Sequence, residues 1–399
     1  MSNDIITTKI NKIVLKNLNG EEISLMSVFL SFNIYESIFS KFKTGEIHIA
    51  DTKDLAYNFP IVGGEELTVH FTSANDAENQ KVKIQTFVIY KIGADYNAHV
   101  ADTSNRVLPL FFCSPELILS EKINISKRIS NTSIDIISDM LINLLGSSKP
   151  LIYDATDNIV NFISNFWTCS KIINYLELFA ENTFNDFIFF ENMNGFNFRS
   201  ITEMLLDDST HDVTFIDNLD VLYKYNSVKG MTTEKYFDDL EFLITGGYGN
   251  TFYQLYRDQY GFSKYENDFG TITDHSASLG KNVQHRTDMI NNNNILWTMK
   301  SGDILSKKAL IKKGLDKYKV VINMNGDSTK TVGQVINFSI NDRAKEKEEY
   351  NELMTGKWLI TKINHELSRD GKYSQNIEIV KNAFNYYKDF TKITGRKNI

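Results

Sequence analysis

The sequence predicts a mainly β protein with α+β insertions, in which two related antiparallel β-barrels are combined with a helix-and-hairpin domain. Three observations predict this fold class. Short strands with alternating apolar residues fill both ends of the chain, helices and a hairpin lie between them, and one pattern of strands occurs twice. The 399 residues, of which 42% are hydrophobic and 23% charged, are enough for several globular domains.

The first barrel is predicted over residues 1–115. Its strands are short, rich in β-branched residues and bounded by polar turns. They are KINKIVL, TGEIHIAD, GGEELTVHFTS, KVKIQTFVIYKI and RVLPLFF. Alternate side chains of a strand point to the same face. One face of the fourth strand is accordingly formed by Val82, Ile84, Thr86, Val88, Tyr90 and Ile92.

An α+β domain is predicted over residues 116–215. Thr132 and the Asp three residues later have the spacing of a helix capping box, and Gly146 follows the apolar stripe of that helix as a stop signal. A second helix is predicted to follow Thr168. The segment DFIFFENMNGFNFRS then predicts a hairpin that turns at its Asn-Gly dipeptide.

The remaining β pattern predicts a second barrel that is interrupted by an insertion. The second barrel is assigned to residues 216–244 and 315–380, and the insertion, a small α+β domain, to residues 245–314. The insertion is rich in tyrosine, and a helix is predicted over residues 301–315. The C-terminal tail, residues 381–399, has five Lys or Arg against one Asp, so we expect it to project or to dock on a partner.

A glycine followed by an alternating strand marks both predicted barrels. Gly64 precedes apolar residues at offsets of three, five and seven, and Gly333 precedes apolar residues at the same offsets. An alternating strand comes before each glycine, and a polar insertion and a pair of strands come after it. Four elements in the same order indicate two copies of one β-barrel.

His365 and Glu366 form half of a zinc-protease signature. That signature needs a second His four residues later on the same helix face, and this position is Arg369. The alternation around His365 and the turn at Gly371 predict a strand and a hairpin instead. Neighbouring residues of a strand point to opposite faces and cannot share one reacting group. We therefore predict a structural role for His365 and no metal, no cofactor and no enzymatic activity.

Charge and cysteine content argue against several classes of protein. The net charge of −7 argues against a surface that grips nucleic acid. Cys113 and Cys169 form no metal-binding or redox motif and indicate folding in a reducing compartment. No apolar run reaches the roughly 18 residues of a membrane span, and the N-terminus lacks the apolar core of a signal peptide. We expect synthesis and assembly in a cytoplasm.

Four segments carry a resemblance to a known family: WLITKINHELSRDGKYSQNIEIV, TVGQVINFSIND, SIDIISDMLINLLG and WTCSKIINYLELFAENTFNDFIFF. With the order of the elements, they resemble the baseplate central hub proteins of contractile-tailed, T-even-type phages. Those proteins are related to the N-terminal hub part of the valine-glycine-repeat spike proteins of type VI secretion. The matching positions are Gly64, Gly333, Trp358, His365, Glu366, Leu367 and Gly371. Val332 stands where the family often has Pro, and residues 245–295 match poorly.

The resemblance implies tube-like barrels and a structural protein of the virion, located in the tail baseplate and assembled in the host cytoplasm. Three chains would form a ring around a lumen, and six barrels would adapt a trimeric spike to the hexameric rings of the tail tube. The tape-measure protein and a baseplate wedge are further implied partners, and DNA would only pass through the lumen. The chain ends soon after the second barrel, so we expect the spike to be a separate polypeptide.

Three alternatives stay open. One is the hub of a related contractile injection or secretion system. Another is a carbohydrate-binding tail module, which would also be acidic and rich in aromatic residues, although the duplicated order argues against it. The third is a cell-wall or glycan hydrolase, which would need paired carboxylates in a cleft. Its candidates, Asp207-Asp208 and Asp238-Asp239, are sequence neighbours that are equally typical of solvated turns.

Overall fold

The fold is described from a computed structural model of the chain. The residues that the structure describes are 9–51, 58–72, 82–93, 107–215, 227–235, 238–244, 247, 249–256, 261–268, 295–298, 302–315, 317–342, 349–350 and 354–382. Much of the tyrosine-rich part of the insertion and the predicted tail beyond Asn382 lie outside these residues. No helix of the described residues has both the length and the apolar content needed to cross a membrane.

The first barrel contains seven antiparallel strands. They are β1 (Lys9–Lys16), β2 (Glu22–Ser24), β3 (Phe29–Ser37), β4 (Thr44–Ala50), β5 (Glu66–Thr72), β6 (Lys83–Ile92) and β7 (Val107–Cys113). Their order in the sheet is β2-β1-β5-β6-β7-β4-β3. The chain passes directly from β2 at one edge to β3 at the other, and the sheet wraps around a core that includes the buried rings of Phe32, Phe87 and Phe112.

The middle domain follows the first barrel. Its elements are α1 (Pro115–Lys122), β8 (Asn124–Ile125), β9 (Arg128–Thr132), α2 (Ser133–Asp139) with a π-helical turn (Met140–Leu144), β10 (Leu151–Tyr153), β11 (Ile159–Ile163), β12 (Trp167–Thr168), α3 (Cys169–Phe179), β13 (Phe187–Asn192), β14 (Gly195–Ser200) and α4 (Ile201–Leu206). The hydroxyl oxygens of Thr132 and Thr168 accept backbone N–H groups at the starts of α2 and α3, as the sequence predicts. The predicted hairpin is the pair β13 and β14.

The second barrel and the insertion occupy the rest of the chain. Their elements are β15 (His211–Phe215), β16 (Ser227–Lys235), α5 (Asp239–Ile244), β17 (Gly249–Tyr256), β18 (Gly261–Asp268), β19 (Ile295–Thr298), α6 (Gly302–Gly314), β20 (Tyr318–Asn325), β21 (Val335–Asp342), β22 (Glu349–Tyr350), β23 (Gly356–Ser368) and β24 (Tyr373–Lys381). Six of these strands close a ring in the order β15-β16-β20-β24-β23-β21. β17, β18 and β19 form a separate sheet in the insertion.

The predicted fold class is confirmed, with one departure. β15 runs parallel to both of its neighbours, although an antiparallel barrel was predicted. β15 follows the last helix of the middle domain and pairs with β21. In the first barrel the strand at this position is β1, which is the first strand of the chain and pairs antiparallel with β5. The second barrel therefore starts at His211, inside the range 116–215 predicted for the middle domain. The other predicted domain bounds stay a prediction.

The two barrels repeat the same connections around their glycines. The Gly64 N–H donates to the Ile89 carbonyl at 2.8 Å, and the Ile89 N–H donates to the carbonyl of the residue after Gly64 at 2.9 Å. In the second barrel the Gly333 N–H donates to the Ile360 carbonyl at 3.0 Å, and the Ile360 N–H donates to the carbonyl of Gln334, the residue after Gly333, at 2.9 Å. Both glycines have a positive φ, 97° and 85°. Gly64 and Gly333 therefore occupy equivalent positions, each directly before β5 or β21.

The irregularities of the strands are repeated as well. β6 and β23 each have a register shift just after the isoleucine bonded to the glycine segment, between Ile89 and Lys91 and between Ile360 and Lys362. β3 and β16 each have a shift near their first residues, and β16 has a second shift, between Thr233 and Lys235, that β3 lacks. Because bulges are placed by specific backbone geometry, shared bulges fix the correspondence residue by residue. β3, β4, β5, β6 and β7 correspond to β16, β20, β21, β23 and β24.

The environment of Gly333 leads to a test of its conformation. A Cβ on Gly333 would lie 2.6 Å from Cζ of Phe190, which is fully buried, and φ is left-handed. We expect Gly333→Ala to lower the free energy of unfolding by about 3 kcal/mol, from backbone strain plus overpacking. Gly20→Ala is the control, because φ is 87° there and no atom lies within 4 Å of the added Cβ. It should cost only about 1 kcal/mol. Equal losses in urea unfolding would contradict this explanation.

Candidate functional site

The strand β23 belongs to both barrels. Its first residues pair with β21 inside the second barrel, and after the bulge at Thr361 its remaining residues pair with β3 of the first barrel. The second pairing extends from Lys362 opposite Ser37 to Ser368 opposite Ser31. The two barrels therefore form one continuous sheet, and the contact between β3 and β23, the inter-barrel junction, is the candidate site.

His365 lies at the centre of this junction and is fully buried. The Gln375 amide fixes its tautomer: the Gln375 oxygen accepts the Asp327 N–H at 3.0 Å, and its NH₂ group donates to the Asp327 carbonyl at 2.9 Å. That NH₂ group is also 3.1 Å from His365 Nδ1, and the Tyr373 hydroxyl is 2.7 Å from the same nitrogen. Nδ1 is thus the acceptor, and the ring proton is on Nε2, 3.7 Å from a Glu36 carboxylate oxygen of the first barrel.

The other sequence-predicted positions divide between the two barrels. Trp358 is in the core of the second barrel, and its indole N–H donates to the Met354 carbonyl at 2.8 Å. Leu367, from the same strand, packs in the core of the first barrel. Glu366 is on the opposite face to His365 and is partly exposed, and Gly371 makes the predicted turn with φ of 79°. These residues share a strand and its turn, but they do not converge on one cavity.

The segment before Gly333 joins the junction to the middle domain. Asp327 and Lys330 form a fully buried ion pair. Burial raises the pKa of Asp327, but the Lys330 charge and the hydrogen bonds from Lys330 and Thr329 together outweigh it and hold that pKa below its usual range. The Val332 N–H lies 3.4 Å from a Glu36 carboxylate oxygen, and the Asn192 amide donates to the Val332 carbonyl at 3.2 Å. One segment thus contacts both barrels and the β13–β14 hairpin.

A second buried charge cluster attaches the hairpin to the first barrel. The Glu191 carboxylate accepts the Lys43 N–H at 3.0 Å, the Ser114 hydroxyl at 2.5 Å and the Lys149 ammonium at 2.8 Å. Burial raises the pKa of Glu191, but Lys43 and Lys149 outweigh it and lower that pKa below its usual range. Lys149 also donates to Glu116 at 2.8 Å. This cluster, here the Glu191 clamp, fixes the middle domain on the barrel.

The candidate catalytic carboxylates have structural partners. Asp207 accepts from Arg199 at 2.7 Å, and Asp208 is exposed and 3.4 Å from Lys357. Asp238 accepts the Glu241 N–H at 2.8 Å and caps α5. Within the described ranges, no group of three or more His, Cys, Asp or Glu residues has the arrangement of a metal site. These contacts favour surface ion pairs and a helix cap over acid–base chemistry.

Sequence reasoning did not identify Glu36, Glu191, Lys43 or Lys149 as important. Their partners are far apart in the sequence, so local patterns carry little information about them. One signal was available for Glu191: it follows FIFF in a segment that is otherwise apolar. A carboxylate in such a strand needs a buried cation or several donors.

His365 can be tested as a structural residue. We expect His365→Ala to lower the free energy of unfolding by about 2 kcal/mol, because it leaves the Tyr373 hydroxyl without its acceptor and opens a small cavity. Tyr373→Phe, which removes only that hydroxyl, should cost about 1 kcal/mol. Chemical denaturation measures both values, and elemental analysis should find no bound zinc. Stoichiometric zinc that is lost in the His365 variant would contradict the structural role.

The Glu191 clamp leads to a prediction about pH. We expect Glu191→Gln to cost about 3 kcal/mol at neutral pH, because the buried Lys43 loses its counter-charge and the partly buried Lys149 loses one of its two carboxylate partners. The folded-state pKa of Glu191 is below its ordinary value of 4.5. Its stabilisation is therefore complete above that value and is lost as the pH falls through the folded-state pKa. Urea unfolding of wild type and variant should converge in that window, whereas Glu121→Gln, at an exposed position, should differ little from wild type at any pH.

No protein-family profile matches the sequence, and no curated protein matches it. Solved structures do match. The 43 kDa tail protein of prophage MuSo2 from Shewanella oneidensis has a TM-score of 0.58 and 11% identity, and the match covers 94% of this chain and 99% of that one. The tail protein from Neisseria meningitidis MC58 has a TM-score of 0.54 and 10% identity, with 93% and 96% covered.

Both matches extend over nearly the whole of each chain, so they include both barrels and the middle domain together. Both similar structures are described as tail proteins. The resemblance that the sequence predicts is confirmed at the level of the fold: this chain has the fold of these tail proteins.

Proposed function

We propose that the chain is the structural hub of a contractile phage-tail baseplate. In this role three copies form a ring of six barrels around a central lumen. The observation that carries the proposal is the inter-barrel junction, in which two barrels of one strand order join edge to edge in a single sheet. The likeness in fold to two tail proteins, one of them from a prophage, supports it.

Two similar barrels in one chain allow a ring of chains to bind partners that have different symmetries. A trimeric spike presents three equivalent sites, whereas a hexameric ring of the tail tube presents six. A trimer whose chains each contain two similar barrels matches both, because it has exact three-fold and approximate six-fold symmetry about one axis. The proposed partners are therefore a trimeric spike protein on one side and hexameric tail-tube proteins on the other.

Further partners and the location follow from the same role. The tape-measure protein and the baseplate wedge are proposed as additional contacts, and the virion tail, assembled in the host cytoplasm, as the location. DNA passes through the lumen without being bound. Each phosphate contact would add salt-dependent affinity and slow passage, and the net charge of −7 suits a conduit. The hub of a related contractile secretion system would use the same geometry.

The hub role predicts a definite mass and shape. We expect light scattering on the full chain to give three chains per particle. Negative-stain images along the axis should show six lobes around a hole. A particle that contains one chain at every concentration, and also in the presence of its spike, would contradict the hub role.

A further inference from the structure

A groove lies beside the inter-barrel junction and is lined by both barrels and by the end of α6. Leu315, just after α6, and Val380 of β24 are nearly fully buried and give the groove an apolar lining. Phe39, in the loop between β3 and β4 of the first barrel, completes this lining, and we call the site the Phe39 groove. Its volume is about 330 Å³, near the lower end of the range of roughly 300–1,000 Å³ for ligand sites. It has room for one or two large side chains.

Phe39 is held in an exposed position by its own loop. The ring is 51% exposed. The Phe39 N–H donates to the Ser37 hydroxyl at 3.1 Å, and the Ser40 N–H donates to the Ser37 carbonyl at 3.1 Å. The Ser40 hydroxyl donates to the Phe42 carbonyl at 2.9 Å. Because the loop is already ordered, binding at this ring would cost little further conformational entropy.

One carboxylate lines the Phe39 groove among the residues that the structure describes, and its charge is balanced within the chain. It belongs to Glu378, which accepts the Thr361 hydroxyl at 2.7 Å and the Lys362 ammonium at 2.9 Å. The Lys319 ammonium is 3.8 Å from the same carboxylate. The other charged residues of the groove therefore cannot rely on Glu378 as a partner.

Those residues are Lys312 and Lys313, in the last turn of α6. Within the described part of the chain, neither ammonium group has a carboxylate within 4 Å. Burial lowers the pKa of Lys313, and no nearby carboxylate opposes this effect. The C-terminus of a helix attracts cations, which accounts for lysines in this turn but not for a partly buried one beside an apolar groove. An anion bound here would supply the missing counter-charge.

We propose that the Phe39 groove binds a segment of a partner protein in which a large apolar side chain stands next to carboxylates. The apolar side chain would pack against Phe39, Leu315 and Val380, and the carboxylates would pair with Lys312 and Lys313. Charge complementarity and the apolar lining select this occupant together. A nucleic acid backbone would satisfy the lysines but leave the apolar lining uncovered, and a purely apolar segment would leave the lysines unpaired.

The inference goes beyond the proposed hub role, because every residue of the groove belongs to one chain. A single chain and a ring of chains would both present it. A failure to form trimers would therefore contradict the hub and leave the groove proposal standing, and the reverse also holds.

Three peptides that carry the same N-terminal fluorescein test the occupant on the full chain. The first is Gly-Ser-Asp-Glu-Phe-Glu-Asp-Ser-Gly. The second has Ser in place of Phe, and the third has Lys in place of each acidic residue. We expect fluorescence anisotropy to show binding of the first peptide and binding weaker by about tenfold or more for the other two, because each lacks one half of the recognition. Equal affinity for any two, or no binding of the first at about 1 mM, would overturn the proposal.

Variants of the full chain assign the binding to the groove. Lys312→Glu combined with Lys313→Glu reverses the charge of the groove, and Lys12→Glu combined with Lys122→Glu makes the same change at exposed positions elsewhere, one of them also in the last turn of a helix. We expect the first pair to weaken binding of the acidic peptide by about tenfold or more, and the control pair to leave it unchanged.

Phe39→Ser removes the exposed ring, and Phe166→Ser, at a ring that is 72% exposed in the middle domain, is its control. We expect Phe39→Ser to weaken binding of the acidic peptide by about tenfold, and Phe166→Ser to leave it unchanged. Equal effects of a groove variant and its control would contradict the assignment to the groove.

Photocrosslinking on wild type gives an answer even if a variant fails to fold. With benzoylphenylalanine in place of Phe, the acidic peptide should attach at residues 312–319, at residues 378–380 or at Phe39, and attachment elsewhere would overturn the proposal. Two other occupants would be recognised and would also overturn it. A groove variant that changes the number of chains per particle without peptide would identify a second copy, and displacement of the peptide by an equal concentration of ten-nucleotide oligothymidylate would identify a general anion site.

Discussion

The structure depends on one strand that serves two barrels. β23 has 13 residues, about twice the length of an ordinary strand. Its bulge at Thr361 divides it into a part that completes the second barrel and a part that pairs with β3. A bulge bends a strand and increases its twist, so the chain can leave one curved sheet and enter the next without a break in hydrogen bonding. The relative position of the barrels follows from this pairing, and the middle domain packs against the unit so formed.

Buried charges then restrict how the domains fit together. The Glu191 clamp and the ion pair between Asp327 and Lys330 lie where domains meet. Such pairs contribute little net stability, because desolvation offsets most of the attraction. Their effect is on specificity: a displaced domain would leave a buried carboxylate or ammonium group without its partner, at a cost of several kcal/mol. The domains therefore have one favourable arrangement.

Local sequence patterns correctly predicted the features that depend on a few neighbouring residues, such as turns, helix starts and strand alternation. The offsets after Gly64 and Gly333 identified the duplication, Thr132 and Thr168 marked two helix starts, and alternation placed His365 on a strand. Patterns of this kind could not show which face of a strand packs against the core of the barrel and which faces solvent. In β6 the alternating apolar residues point outward, and the core contains Phe87 and Ile89 from the opposite face. They also could not predict the parallel direction of β15 or the Glu191 clamp, because both depend on contacts between residues far apart in the sequence.

The two copies of the barrel differ in the residue at the equivalent bulge of β6 and β23. Within the chain, β23 and β3 are held at a high effective concentration by covalent connection, so their contact needs little affinity of its own. At the corresponding bulge the second barrel has the small residue Thr361, and the first barrel has Tyr90. Thr361 is fully buried where the two barrels meet, and its hydroxyl donates to a Glu378 carboxylate oxygen at 2.7 Å, so this copy of the bulge needs a small side chain with a hydrogen-bonding group, whereas Tyr90 is 48% exposed.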